Sequence, residues 1–149
     1  MAVQGSLTQP GLQHFEQFHS QVNELFFPMA CELSREQRNS FRGQLRHCQL
    51  GEVAFAAVRS SPLDVYRRRS DIGRVSDTKY LVKVQVEGES RIVHGGREAR
   101  LQPGDFTICL SSEPYELHFA ADYAQVVLAV PQPLMESCLH HPARHIGVS

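Results

Sequence analysis

The sequence predicts a mainly β protein, a β-sandwich or barrel with one helix on its N-terminal side and one on its C-terminal side. Three observations predict it. Strand-like apolar runs recur from Phe41 onward at about 8 to 12 residue spacing, the rhythm of sandwiches and barrels. Sharp turn signals, above all Gly95-Gly96 and Pro103-Gly104, punctuate those runs. A clear helical period is confined to the start, where Phe15, Phe18, Val22 and Phe26 fall on one stripe. The chain has 149 residues, enough for one domain that buries roughly two thirds of its unfolded surface.

Residues 1–14 read as a flexible arm, polar over Met1 to Gln9 and broken by Pro10-Gly11. The phenylalanine stripe then forms a helix that Pro28 ends and that caps an open end of the sheet. Ser34 to Gln37 fits either a capping box or a polar loop. Strands follow at Arg42 to Leu50, Glu52 to Ser60 and Leu63 to Arg69, separated by Gly51 and Ser61-Pro62. The second is apolar on both faces over Val53 to Val58 and so belongs inside. After a polar loop at Asp71 to Thr78, Tyr80, Val82, Val84 and Val86 alternate with Leu81, Lys83, Gln85 and Glu87, an apolar face against a mainly polar one.

From Gly95 to Phe119 the chain reads as a β-meander. Gly95-Gly96 suits a type I′ turn, which pairs Ile92 with Ala99 and Ser90 with Leu101. Pro103-Gly104 suits a type II turn that the Asp105 side chain fixes by bonding backbone, so Pro103, Gly104 and Asp105 are structural. Phe106, Ile108 and Leu110 then oppose Thr107, Cys109 and Ser111, and Ser111 to Pro114 turns the chain into Tyr115, Leu117 and Phe119. Tyr123 to Val130 is a last apolar strand, stopped by Pro131 and Pro133, and Leu134 to His140 is the C-terminal helix.

Composition narrows function by exclusion. Lys and Arg number 15 against 16 Asp and Glu, a formal charge of −1, so no global field draws this chain to nucleic acid or anionic lipid. Cys31, Cys48, Cys109 and Cys138 are far apart with no C-x-x-C, the pattern of reduced thiols in a cytoplasmic protein. No signal-peptide core or membrane-spanning run is present. Neither G-x-S-x-G, G-x-G-x-x-G nor a Walker sequence occurs, and His47-Cys48, as strand neighbours, point to opposite faces. No catalytic residue is assigned.

Gly96 to Phe106, G-R-E-A-R-L-Q-P-G-D-F, followed by S-E-P-Y-E-L at Ser112 to Leu117, resembles the cupin-like sensor domain of the AraC/XylS family of bacterial transcriptional regulators. P-L-D-V-Y-R-R-R at Pro62 to Arg69, D-T-K-Y-L-V at Asp77 to Val82 and V-L-A-V-P-Q-P-L-M at Val127 to Met135 look like the same pattern in the same order. The resemblance covers roughly Phe15 to Leu139. It implies a cupin-like β-sandwich or jelly-roll barrel over residues 15–140, with residues 141–149 as the start of a linker. It also implies an effector-sensing and dimerisation domain that takes a small organic molecule, forms a homodimer through the Leu134 to His140 helix, and reaches DNA only through a helix-turn-helix domain not in this sequence.

Arg67 is the first effector-binding candidate. An inward arginine clamps a carboxylate bidentately, and the resemblance carries an arginine at this position; a surface ladder of ion pairs is the simpler reading. Tyr66, Tyr80, Tyr115 and His118 offer polar tips on strands expected to line the barrel, and Phe55, Val82, Phe106 and Ile108 offer apolar wall. A metal-dependent cupin isomerase or dioxygenase is the alternative, but it needs an H-x-H pattern that this chain lacks. His94 falls opposite Arg97, which repels an added cation, and His140, His141 and His145 read as a solvated tail around Pro142. No metal and no cofactor are expected.

Overall fold

The structure, a computed structural model, describes residues 3–4, 14–26, 28–73 and 78–138. Of the expected arm, it describes Val3, Gln4 and His14; the tail with His140, His141 and His145 lies outside the described residues. The elements are β1 (Val3–Gln4), α1 (Phe15–Leu25), β2 (Ala30–Glu32), α2 (Arg35–Ser40), β3 (Gly43–Leu50), β4 (Val53–Ser60), β5 (Leu63–Arg67) and α3 (Arg69–Ile72). There follow β6 (Lys79–Glu87), β7 (Ser90–His94), β8 (Arg97–Leu101), β9 (Phe106–Leu110), β10 (Tyr115–Phe119), β11 (Tyr123–Pro131) and α4 (Gln132–Cys138).

Two antiparallel sheets pack face to face in a sandwich. One runs β1-β3-β4-β11-β6-β9 and the other β2-β5-β10-β7-β8. Between them lie Leu45, Ala54, Ala56, Leu81, Cys109 and Val127 from the first sheet, and Leu63, Val65, Ile92, Tyr115, Leu117 and Phe119 from the second. Alternation along each strand sends every second residue into this core.

Local chemistry explains the ends. At Ser34, Oγ accepts from Gln37 N at 3.1 Å while Gln37 Oε1 accepts from Ser34 N at 2.9 Å, a capping box that starts α2. Phe15, Phe18 and Val22 are the buried face of α1. Their rings close on Phe41, with centroids 5.4 Å from Phe15 and 5.2 Å from Phe18, so α1 seals one end of the sandwich. No helix among the described residues is long and apolar enough to cross a membrane.

Two expectations are corrected. The stretch from Gly95 to Phe119 is not a meander. β7 and β8 do form the hairpin, with Ile92 opposite Ala99, Ser90 opposite Leu101, and Gly95 and Gly96 at φ 59° and 75°. The Pro103-Gly104 turn, however, carries the chain across to the other sheet, where β9 pairs with β6, and β10 returns to lie between β7 and β5. Asp105 Oδ2 accepts from Gln102 N at 2.9 Å and Gly104 N donates to Gln85 O at 2.9 Å, which ties that crossing to β6. The second correction is that the strand through the arginines ends at Arg67. Arg68 is the N-cap of α3, its N–H bound to Asp71 Oδ2 at 2.9 Å, so Arg67 and Arg69 do not share a strand face.

Buried polar side chains join the sheets at both ends of β7. Ser90 Oγ donates to Gln85 Oε1 at 2.9 Å, and Gln125 Nε2 donates to the same oxygen at 2.9 Å. His94 does the same work at the other end. Its Nε2 accepts from Leu110 N at 3.0 Å, and its Nδ1 lies 2.8 Å from Pro114 O, which can only accept. The ring is therefore the neutral Nδ1–H tautomer, and burial holds its pKa below the ordinary histidine value.

Because that folded-state pKa is depressed, the unfolded chain takes up the proton first, and stability present above pH 6.5 is lost as pH falls. We expect the melting temperature to drop between about pH 7.5 and about pH 5.5, with a shallower slope in His94→Leu, which should itself cost about 1–3 kcal/mol by orphaning Leu110 N–H. Gly43→Ala tests the α1 seal. Its Cβ would stand 2.6 Å from Phe18 Cδ2 and 2.9 Å from Phe41 Cε1, both on buried rings. A loss of about 1–3 kcal/mol in denaturant melts is expected.

Candidate functional site

The interior face of β6 and β9 is their polar one. Leu81, Lys83 and Gln85 point inward from β6, and Thr107 and Cys109 from β9, all buried. The apolar partners of this alternation face out. There Tyr80 and Ile108 pack beneath Met135 of α4, with Val82, Leu110 and Val130 around them. A helix covers the outer face, so the apolar residues belong there and the inner face is left to carry polar groups.

Lys83 lies opposite Thr107 on one side and Val127 on the other. Only 6% of it is exposed. Its Nζ sits 5.4 Å from the centroid of the Tyr115 ring, a cation–π distance. Among the described residues it has no carboxylate partner. Burial lowers its pKa, with neighbouring Cys109 acting the other way. Thr107 Oγ1 and the Tyr115 hydroxyl are also buried, and neither has a hydrogen-bond partner. Buried hydroxyls without partners cost free energy, so two of them beside a buried lysine mark this as the interior's unusual spot. Cys31 and Cys109 nearby are inert, because burial pushes both thiols up to about 12.

Lys83 and Gln125 also border a cavity of about 50 Å³ whose other walls are apolar: Val65, Leu117, Phe119 and Val127 from the sheets, Met29 and Cys31 from the β2 segment, and Phe18, Val22 and Phe26 from α1. A few polar groups in a mostly apolar pocket is the usual composition of a small-molecule site. The α1 side supplies one wall of it.

The structure distributes the expected residues differently. Arg67 and Tyr115 face inward as neighbours on β5 and β10. The Arg67 guanidinium, however, donates to backbone carbonyls, Nε to Ser111 O at 2.9 Å and Nη1 to Pro28 O at 2.7 Å, so it staples β5 to the end of β9 and to the segment after α1. Tyr66 and His118 are on the outer face of the five-stranded sheet, edge to face at 5.7 Å. His118 Nδ1 is 2.9 Å from Asp64, and the Arg68 guanidinium stacks on Tyr66 while bonding Glu32 at 2.6 Å. Tyr66, Arg67 and Tyr115 meet at a surface cleft of about 350 Å³ beside Gly95-Gly96. Tyr80, Val82 and Ile108 lie under α4, and Phe106, 51% exposed, is on the same outer face. Phe55 alternates with the core residues Ala54 and Ala56 and pairs with Leu128, which pairs in turn with Val82, so it too faces out. Lys83, Thr107 and Gln125 were missed. The signal that finds them is a lysine and a glutamine on the polar side of a strand whose apolar side is also fully occupied.

Both ring nitrogens of His94 are engaged by backbone, and among the described residues no three His, Cys, Asp or Glu side chains gather as metal ligands.

Among curated proteins, an uncharacterized protein in the nit 5′ region of Bacillus sp. (strain OxB-1) is 29% identical over 123 residues, 83% of this chain and 47% of that protein. The transcriptional activator NphR of Rhodococcus sp. is 26% identical over 104 residues, 70% of this chain and 31% of NphR. The chain thus spans half or less of these relatives' length. Among solved structures, the AraC-like transcriptional activator CuxR superposes with a TM-score of 0.76 over 89% of this chain and 50% of CuxR; at 16% identity it shows the shared fold. The family model of the AraC-binding-like domain matches residues 18–148, from the helix that seals the barrel onward, and the chain belongs to that family.

Proposed function

We propose that this chain is the effector-sensing and dimerisation domain of an AraC-type transcription regulator, that it binds a small organic molecule between its sheets rather than catalysing a reaction, and that it works in the cytoplasm. One observation carries the reading: a mostly apolar cavity lined in part by α1 has Lys83 in its wall, and beside that lysine the buried Thr107 and Tyr115 hydroxyls have no hydrogen-bond partner. Family membership and the regulator relatives support it. The coupled DNA-binding unit is a helix-turn-helix domain outside this chain.

The mechanism is linkage. A cavity of about 150 Å³ lined by apolar side chains holds benzene, whereas this one measures about 50 Å³. A ligand of even that size fits only if the lining yields, and the part of the lining not held in a sheet is α1 with the segment after it. The bound and empty states therefore differ in where α1 sits. A ligand that favours one position shifts whatever α1 and the sheets contact by its differential affinity.

A thermal-shift screen of small carboxylates, alcohols, amines and aromatics should find at least one compound that stabilises the wild-type chain. Val58→Phe, which fills the cavity from its half-exposed rim, should abolish that shift while the protein stays folded; a shift that persists unchanged would move the site elsewhere. The dimer uses α4, whose Met135 packs inward, together with the outer face beside it, where Val86 and Phe106 are 46% and 51% exposed. Sedimentation should show a dimer that Phe106→Glu weakens, and a wild-type monomer at high concentration would remove this part of the proposal.

A further inference from the structure

Among the described residues the buried formal charges are Arg67 and Lys83, both cationic, and no Asp or Glu is buried. Arg67 meets two backbone carbonyls. Lys83 meets the face of the Tyr115 ring instead. Beside it the Thr107 and Tyr115 hydroxyls each hold a hydrogen with no acceptor. The charge is all of one sign, and each hydroxyl can donate as well as accept, so what the spot lacks is a negative group that takes hydrogen bonds from all three. Such an interior is costly when empty, because a buried charge is tolerated when paired and a buried donor when bonded.

We infer that the site between the sheets receives the carboxylate of a small, otherwise apolar acid, with Lys83 as its counter-charge and Thr107 and Tyr115 donating to its oxygens. This rests on the sensor reading above and names the class of effector. A carboxylate has two oxygens and about four acceptor positions, enough for all three groups at once. The rest of the molecule would lie against Val65, Leu117, Phe119 and Val127, and against Phe18 and Val22 of α1. An amine would meet two like charges. A neutral amide or alcohol would accept the hydrogen bonds and leave the lysine uncompensated.

Calorimetry on the full 149-residue chain with butyrate, hexanoate and benzoate, and with the matching primary amides and amines, tests the inference. At least one acid should bind about 10- to 100-fold more tightly than its amide. Lys83→Met should erase that preference and, without ligand, melt above the wild type, which shows that the variant folds. Thr107→Val should weaken the acid about tenfold. Amides or amines that bind as tightly as acids, or acids that bind Lys83→Met undiminished, would overturn the assignment of charge while leaving the sensor reading in place. If no acid, amide or amine binds, both readings fall.

Discussion

Strand β7 is fastened to the opposite sheet at both of its ends, and the interior exists because of it. Ser90 reaches Gln85 at one end and His94 reaches Leu110 at the other. Arg67 adds a third tie at the His94 end, gripping Ser111 just past β9. A sandwich held only by apolar contact would close until its faces met at crystal-like density. Here polar side chains of fixed length set the spacing, and between the two fastened levels lie Lys83 and Thr107, with the Tyr115 ring reaching the lysine from the His94 level. Each tie is also fully satisfied, which is the condition under which a buried polar group defines a structure instead of weakening it.

Much of the fold was legible because it follows from short-range rules. The phenylalanine period of α1, the Gly95-Gly96 hairpin with its register, and the Pro103-Gly104 turn all come from residues within a few positions of one another. What local pattern does not contain is which sheet a strand joins. The run from Gly95 to Phe119 reads as three neighbouring strands, yet β8 and β9 end up on different sheets, because a tight turn permits a crossing as readily as a return.

Which residues face inward was harder to read, for a related reason. Alternation says that two faces differ and not which one is inside, and the usual assumption sends Tyr80, Val82, Phe106 and Ile108 inward. Met135 of α4, some fifty positions further along from Val82, decides otherwise by covering that face. The inward orientation of Arg67 and Tyr115 was legible because an arginine or tyrosine within a strand at a sheet centre has to be explained. Lys83 was passed over because a lysine opposite a valine face looks like an ordinary solvated one.

Cys31 borders the cavity beneath α1 and, in the folded state, keeps its proton to about pH 12. Only the thiolate attacks alkylating reagents, so on the proposal that α1 yields to a ligand this sulfur reacts once the helix has lifted and water has reached it. The slow modification of one natural cysteine is thus a clock for that helix. Its rate, compared between the empty chain and the chain holding a bound molecule, reports how often the barrel opens, with no added label.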